Sequence, residues 1–228
     1  MSEPTRTCAR TRIKMCGFTR EADVQAAVQA GADAIGFVLY PPSPRAVSVE
    51  RAAELTARLH AFVTPVLLFV NETPERIAAA CAAVPGALLQ FHGDETPEFC
   101  TDMSQRTGRP HLKAARIPLA QAASFDLLKF AQLHHTAQAI LLDAHVDGFG
   151  GGGKAFNWSL LPPSVNAHLV LSGGLTPANV ADGIRLLRPR ARSLAVDVSS
   201  GIESGKGLKD ADKIRQFVEA VRTADNAL

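Results

Sequence analysis

Short apolar runs alternate with longer helix-patterned segments along this whole chain, and that alternation limits its fold more than any other feature. The runs are Arg12–Cys16, Ala34–Leu39, Pro65–Val70, Ala87–Phe91, His111–Ala115, Ala139–Leu142, His168–Leu171 and Leu194–Val198. Helical patterning falls between them at Arg20–Ala30, Val49–Phe62, Pro74–Val84, Pro97–Gly108, Leu119–Ala131, a short Ser159–Leu161 and Pro177–Leu187, and Asp210–Ala224 closes the chain. Strands that alternate with helices of this length predict βαβ units and a parallel sheet. Local signals agree. Thr73-Pro74, Thr96-Pro97 and Thr176-Pro177 each offer a threonine N-cap followed by proline at the first helical position. Gly31 and Gly108 stand where a left-handed residue ends a helix.

Two architectures use such units. An open doubly wound sheet leads with a glycine fingerprint after its first strand, but the first loop here is Cys16-Gly17-Phe18-Thr19. Eight units in 228 residues, with no linker-like or low-complexity stretch, instead predict an α/β fold of the (β/α)8, or TIM, barrel kind. It is expected to form one domain over residues 1–228, with 1–11 a short lead-in.

Such a barrel carries its chemistry at the C-terminal ends of its strands. In the stretch Leu169 to Gly205 two successive runs end abruptly, one in Gly173-Gly174, the other in Ser199-Ser200-Gly201. Small residues at a strand tip leave backbone N–H groups uncovered, and a helix start beyond adds partial positive charge, so the pair reads as a phosphate cradle. Cys16 ends the first strand, where a thiol could serve as nucleophile or, as thiolate, as general base. Lys14 falls on the same strand face and needs a carboxylate inside a barrel, for which Asp197 is the expected partner. Asp143 ends the sixth strand, where a partly desolvated carboxyl could act as general acid. Arg45, in a proline-stiffened loop, is either a carboxylate clamp or a solvated side chain, and His92 either a rim ligand or a packing residue. The glycine run 148–153 is pliant enough to fold over a bound substrate, with Asp147 a turn-capping aspartate.

Composition excludes other classes. A formal charge of +2 is too small to argue for nucleic acid, and no apolar run approaches the roughly 18 residues of a membrane span. The N-terminus lacks the apolar core of a secretory signal. Four cysteines without a CxxC pair or His/Cys metal spacing point to a reduced, cytoplasmic protein with no metal site.

The motifs KMCG, GADAIGFVLYPPSPRAVS, FVNE, LLQFHGDE, LLDA, GGGKAFNW, LSGGLTPANV, VDVSSGIES and GLKDADKIRQFV occur in order from about Ile13 to the last helix. In these the chain resembles the phosphoribosylanthranilate isomerase family of tryptophan biosynthesis. The resemblance implies an Amadori rearrangement of N-(5-phosphoribosyl)anthranilate, with Asp143 as general acid and Cys16 as general base. It implies that Gly173, Gly174, Ser199, Ser200 and Gly201 hold the phosphate and that Arg45 faces the anthranilate carboxylate; His92 is a further expected substrate-binding residue. No cofactor or metal is implied, and the partners are a small-molecule substrate, no nucleic acid, no membrane, with the chain a monomer or homodimer. Departures from the family pattern are Leu67-Leu68 in strand three, Gly152 in place of threonine and Asn157 in place of aspartate. Rival readings are a two-phosphate isomerase of the histidine pathway, an indole-glycerol-phosphate synthase, towards which Lys113 is a weak pointer, and a non-catalytic phosphate-binding barrel.

Overall fold

The structure, a computed structural model, describes residues 10–118, 125–145 and 158–227. Eight parallel strands close on themselves: β1 (Arg12–Cys16), β2 (Ala34–Val38), β3 (Thr64–Phe69), β4 (Leu88–Phe91), β5 (His111–Pro118), β6 (Ala139–His145), β7 (Val165–Leu171) and β8 (Ala191–Val198). Closure comes from β1 pairing with β8, Lys14 opposite Asp197 and Met15 opposite Val198. Outside lie α1 (Glu21–Ala30), α2 (Val49–Thr56), α3 (Pro74–Ala83), α4 (Pro97–Thr107), α5 (Leu127–Leu133), α6 (Val180–Leu187) and α7 (Ala211–Asn226). A small antiparallel pair, β9 (Glu203–Gly205) and β10 (Leu208–Lys209), follows the barrel. The (β/α)8 barrel read from the sequence is the fold observed.

The period of two along each strand sorts side chains between two environments. Ile13, Met15, Ile35, Phe37, Leu67, Phe69, Leu89 and Phe91 face outward into the main core, beneath the helices. The alternate positions fill the barrel lumen. There Ala114, Leu141 and Val170 form one small apolar layer, and Cys16, Val38, Leu68 and Val70 another beneath the mouth. The catalytic-end residues therefore rest on a packed floor.

Thr73 and Thr96 cap their helices as predicted, accepting from Arg76 N and Phe99 N, with Pro74 and Pro97 in the first turn. Gly31 and Gly108 take left-handed φ of 98° and 63°. Three helix expectations need correction. α2 stops at Thr56 rather than Phe62, because the chain must turn back to enter β3, with Phe62 at φ 72° and fully exposed. α5 starts at Leu127, where Asp126 caps Lys129 N; of the helix expected from Leu119, residues 119–124 lie outside the described residues. α6 starts at Val180 rather than Pro177: residues 177–179 form a turn in which Asn179 N and Val180 N reach Thr176 O at 3.3 and 3.2 Å, while the Asn179 side chain accepts the Thr176 N–H at 2.8 Å. The glycine run 148–153, with Asp147, Gly152 and Asn157, also lies outside the described residues.

Candidate active site

A cleft of about 700 Å³, counting space open to solvent, occupies the C-terminal mouth of the barrel. Its lining includes Cys16, Arg45, His92, Asp143, Gly173, Gly174, Ser199 and Ser200. These residues come from the ends of β1, β4, β6, β7 and β8 and the loop after β2, so closure of the barrel assembles what the sequence scatters. Gly201 stands outside the lining. A side chain there would meet the Leu175 carbonyl oxygen at 1.9 Å, so this glycine lets the loops after β7 and β8 touch.

Gly173 and Gly174 take φ of 79° and 68°, a left-handed pair that strains other residues. Asn179 staples this turn, donating to Gly174 O at 3.0 Å while accepting from Thr176 N. The loop after β8 opens into a single 3-10 turn, Ser200–Ile202, in place of the helix start expected there. Buried Lys209 supports it, donating to Ser199 O at 3.0 Å and to Glu203 Oε1 at 2.8 Å. Uncovered backbone amides over a buried ammonium suit an anion.

Cys16 is a free, buried thiol. A Cβ on Gly36 would approach its Sγ to 2.6 Å, so glycine at that β2 position makes room for the sulfur. Burial pushes the thiol above its ordinary range, Lys14 and Lys209 oppose that rise, and Asp197 adds to it. Lys14 Nζ lies 2.8 Å from Asp197 Oδ1, the pairing anticipated from the strand pattern. Burial works against this ammonium, but Asp197 and Cys16 outweigh it and hold the lysine above its usual value.

Asp143, 15% exposed at the side chain, reaches His92 Nε2 through Oδ2 at 3.0 Å, and His92 Nδ1 lies 3.0 Å from Gln90 Nε2. With the amide donating to Nδ1, the imidazole carries its hydrogen on Nε2 and donates it to Asp143. His92 is thus anchored on both ring nitrogens, combining the rim and packing roles the sequence left open. Gln90, fully buried on β4, had not stood out in sequence; its one signal was the same-face spacing with His92.

Arg45 is 8% exposed, so the solvated reading does not hold. Its Nε and Nη2 donate to the two carboxylate oxygens of Glu203 at 2.7 and 2.8 Å, a bidentate fork. Among the described residues Nη1 has no partner. Glu203 escaped the sequence reading because nothing in GIES marks it as the partner of an arginine 158 positions away. Lys113 faces away from the cleft. It donates to Glu95 Oε2 at 2.7 Å and Gly93 O at 2.8 Å, with both charged side chains nearly inaccessible, which leaves no lysine acid on β5.

The family model described as N-(5'phosphoribosyl)anthranilate (PRA) isomerase matches residues 13–220. An N-(5'-phosphoribosyl)anthranilate isomerase of Methylibium petroleiphilum is 62% identical over 216 residues, covering 95% of this chain and 96% of its own. Among solved structures, the phosphoribosyl anthranilate isomerase of Thermotoga maritima superposes with a TM-score of 0.81 at 38% identity, covering 93% of this chain and 99% of its own. A second such structure, at 35% identity and a TM-score of 0.75 over 93% and 99% of the two chains, holds reduced 1-(o-carboxyphenylamino)-1-deoxyribulose 5-phosphate. On the strength of fold, motif order and these similarities, the chain belongs to the N-(5'-phosphoribosyl)anthranilate isomerases, the isomerizing enzymes of tryptophan biosynthesis.

Proposed function

We propose that this chain converts N-(5-phosphoribosyl)anthranilate to 1-(2-carboxyphenylamino)-1-deoxyribulose 5-phosphate, with Asp143 as general acid and Cys16 as general base. The observation that carries the reading is a thiol on β1 and a carboxyl on β6 lining one cleft, with a glycine and serine cradle and an arginine in the same lining. Asp143 protonates the furanose ring oxygen. The bond from that oxygen to C1′ breaks as the nitrogen lone pair forms the C1′=N Schiff base. The Cys16 thiolate then removes the proton at C2′, and the C–H electron pair becomes the C1′=C2′ bond of an enolamine. Tautomerisation returns a proton to C1′ and leaves the C2′ ketone, so no net electron or atom is gained.

The phosphate belongs at Gly173, Gly174, Ser199 and Ser200, where N–H groups and Lys209 favour negative charge. The anthranilate carboxylate belongs at Arg45 Nη1, beside the fork that Glu203 holds. A related structure holds an analogue that carries both a carboxylate and a phosphate, in keeping with a site that must accept both groups. His92 acts through Asp143, aiming its carboxyl at the ring oxygen. Residues 1–228 work as one domain, and the protein is cytoplasmic.

The test is turnover of phosphoribosylanthranilate generated in place, followed by loss of its fluorescence. Cys16→Ala and Asp143→Ala should each lower kcat by about 10²-fold or more, the range for a lost acid or base, with far smaller changes in KM. Folded protein without turnover would leave a phosphate-binding barrel.

A further inference from the structure

Two features inside the barrel mouth remain unexplained by acid, base and cradle. One is the ion pair of Lys14 and Asp197, both about 5% exposed, in a lumen whose neighbouring layers are apolar. An ion pair withdrawn from water is a poor way to fill a core, and apolar side chains of similar volume would serve as well. The other is Gly36, whose missing side chain leaves the Cys16 sulfur its place.

These features meet at the sulfur. Lys14 and Cys16 share the lumen face of β1, two residues apart and both about 5% exposed, so the ammonium and the thiol are neighbours inside the barrel. An ammonium has three donors. Asp197 Oδ1 takes one at 2.8 Å and thereby fixes the direction of the others, while Ser172 Oγ donates to Asp197 Oδ2 at 3.5 Å from the end of β7.

We propose that Lys14 is a positioning residue for the base: held by Asp197, its ammonium aims the Cys16 sulfur and stabilises the thiolate form. The proposal rests on the reading of Cys16 as base, and it adds the group that lets a buried thiol serve that purpose. The charges facing the sulfur are Lys14 on its own strand, Asp197 from β8 and Lys209 from β10, with Arg45, His92 and Asp143 around the cleft. Of these cations, Lys14 has the larger influence on the thiol, so its removal should be felt most.

The experiment titrates the thiolate absorbance of the free enzyme, as a difference against Cys16→Ser. Lys14→Met, and the charge-balanced pair Lys14→Met with Asp197→Asn, should each move the Cys16 midpoint upward by about one pH unit or more, a tenfold smaller thiolate fraction at a given pH. The lower limb of the kcat/KM profile should move with it, kcat should fall more than KM rises, and Lys14→Arg should restore part of the shift. An unchanged Cys16 midpoint in the folded double variant would overturn the proposal. A second measurement needs no risky variant: the Lys14 side-chain NMR resonance in the wild-type protein should step at the Cys16 midpoint, and the step should vanish in Cys16→Ser. Absence of that step would also overturn it. Because both readouts are made without substrate, loss of the base assignment would show separately, as a Cys16 that titrates with Lys14 in an enzyme whose turnover survives Cys16→Ala.

Discussion

At the scale of single residues, the proposed base, Cys16, depends on an atom that is missing. Gly36→Ala would set a methyl group 2.6 Å from the Cys16 sulfur, too close for either to stay in place. The expected outcome is a folded protein whose kcat falls by about 10²-fold, the cost of a misplaced catalytic group; a crystal structure of the variant checks that the sulfur has moved. The pH dependence follows from the same site. Because burial leads the influences on Cys16 and raises it, the thiolate forms only above the ordinary thiol range of about 8.5. The kcat/KM of the free enzyme should therefore still be rising with pH there, and a plateau reached well below it would contradict the reading. Cys16 and Asp143 were legible in sequence because a polar residue closing an apolar run falls in the C-terminal part of its strand: Cys16 ends β1, and Asp143 lies two residues before the end of β6. The Gln90–His92–Asp143 chain was not, since it joins β4 to β6 across the mouth.

At the scale of elements, buried charges tie the loop after β2 to the β9–β10 pair. Glu203 accepts from Arg45 and Lys209, and Lys213 Nζ on α7 donates to its backbone carbonyl at 2.7 Å. Glu203→Gln would loosen the Arg45 fork while keeping the residue's shape. KM should rise about tenfold, with kcat less affected, as steady-state kinetics would show, because uniform binding is what the proposed carboxylate clamp would provide. Burial works against the Glu203 carboxylate, but hydrogen bonds from Arg45 and Lys209 prevail and lower it below its usual range. A lowered folded value contributes stability that is present above the unfolded carboxyl value, about 4.3, and is lost as pH falls through the folded one. Acid unfolding should thus steepen below about pH 4 in the wild type and less so in Glu203→Gln, which denaturant midpoints against pH would measure. The strands and most helix starts were readable from period and caps. Where α2 and α6 begin or end was not, because turn contacts outweighed propensity.

At the scale of the whole molecule, the barrel is closed twice. The β1–β8 ladder closes the sheet, and α7 returns to cover the start of β1. Ile214, Phe217, Val218, Val221 and Ala224 bury one stripe of α7, and Asp225 ends it by accepting from Thr11 N at 2.9 Å and Thr11 Oγ1 at 2.5 Å. Arg188 and Arg222 also reach this carboxylate. Asp225→Ala should cost about 2 kcal/mol, the worth of hydrogen bonds to a buried charge whose cations are partly solvated. Chemical denaturation would read that loss, and kcat should be unchanged, since this closure lies at the end of the barrel opposite the cleft.

What the sequence determined by itself is everything that depends on neighbours along the chain. Alternation of runs set the strands, period two divided each strand between core and lumen, and abrupt strand ends marked Cys16, Asp143 and the glycine pair. Tertiary structure alone decided what depends on distant partners: Glu203 beneath Arg45, Lys113 turned to Glu95, Gly201 spent on loop contact and Gly36 on the sulfur. The physical reason is that local pattern fixes direction and burial, whereas hydrogen bonds and close contacts form only after the chain has closed and brought strands one and eight together.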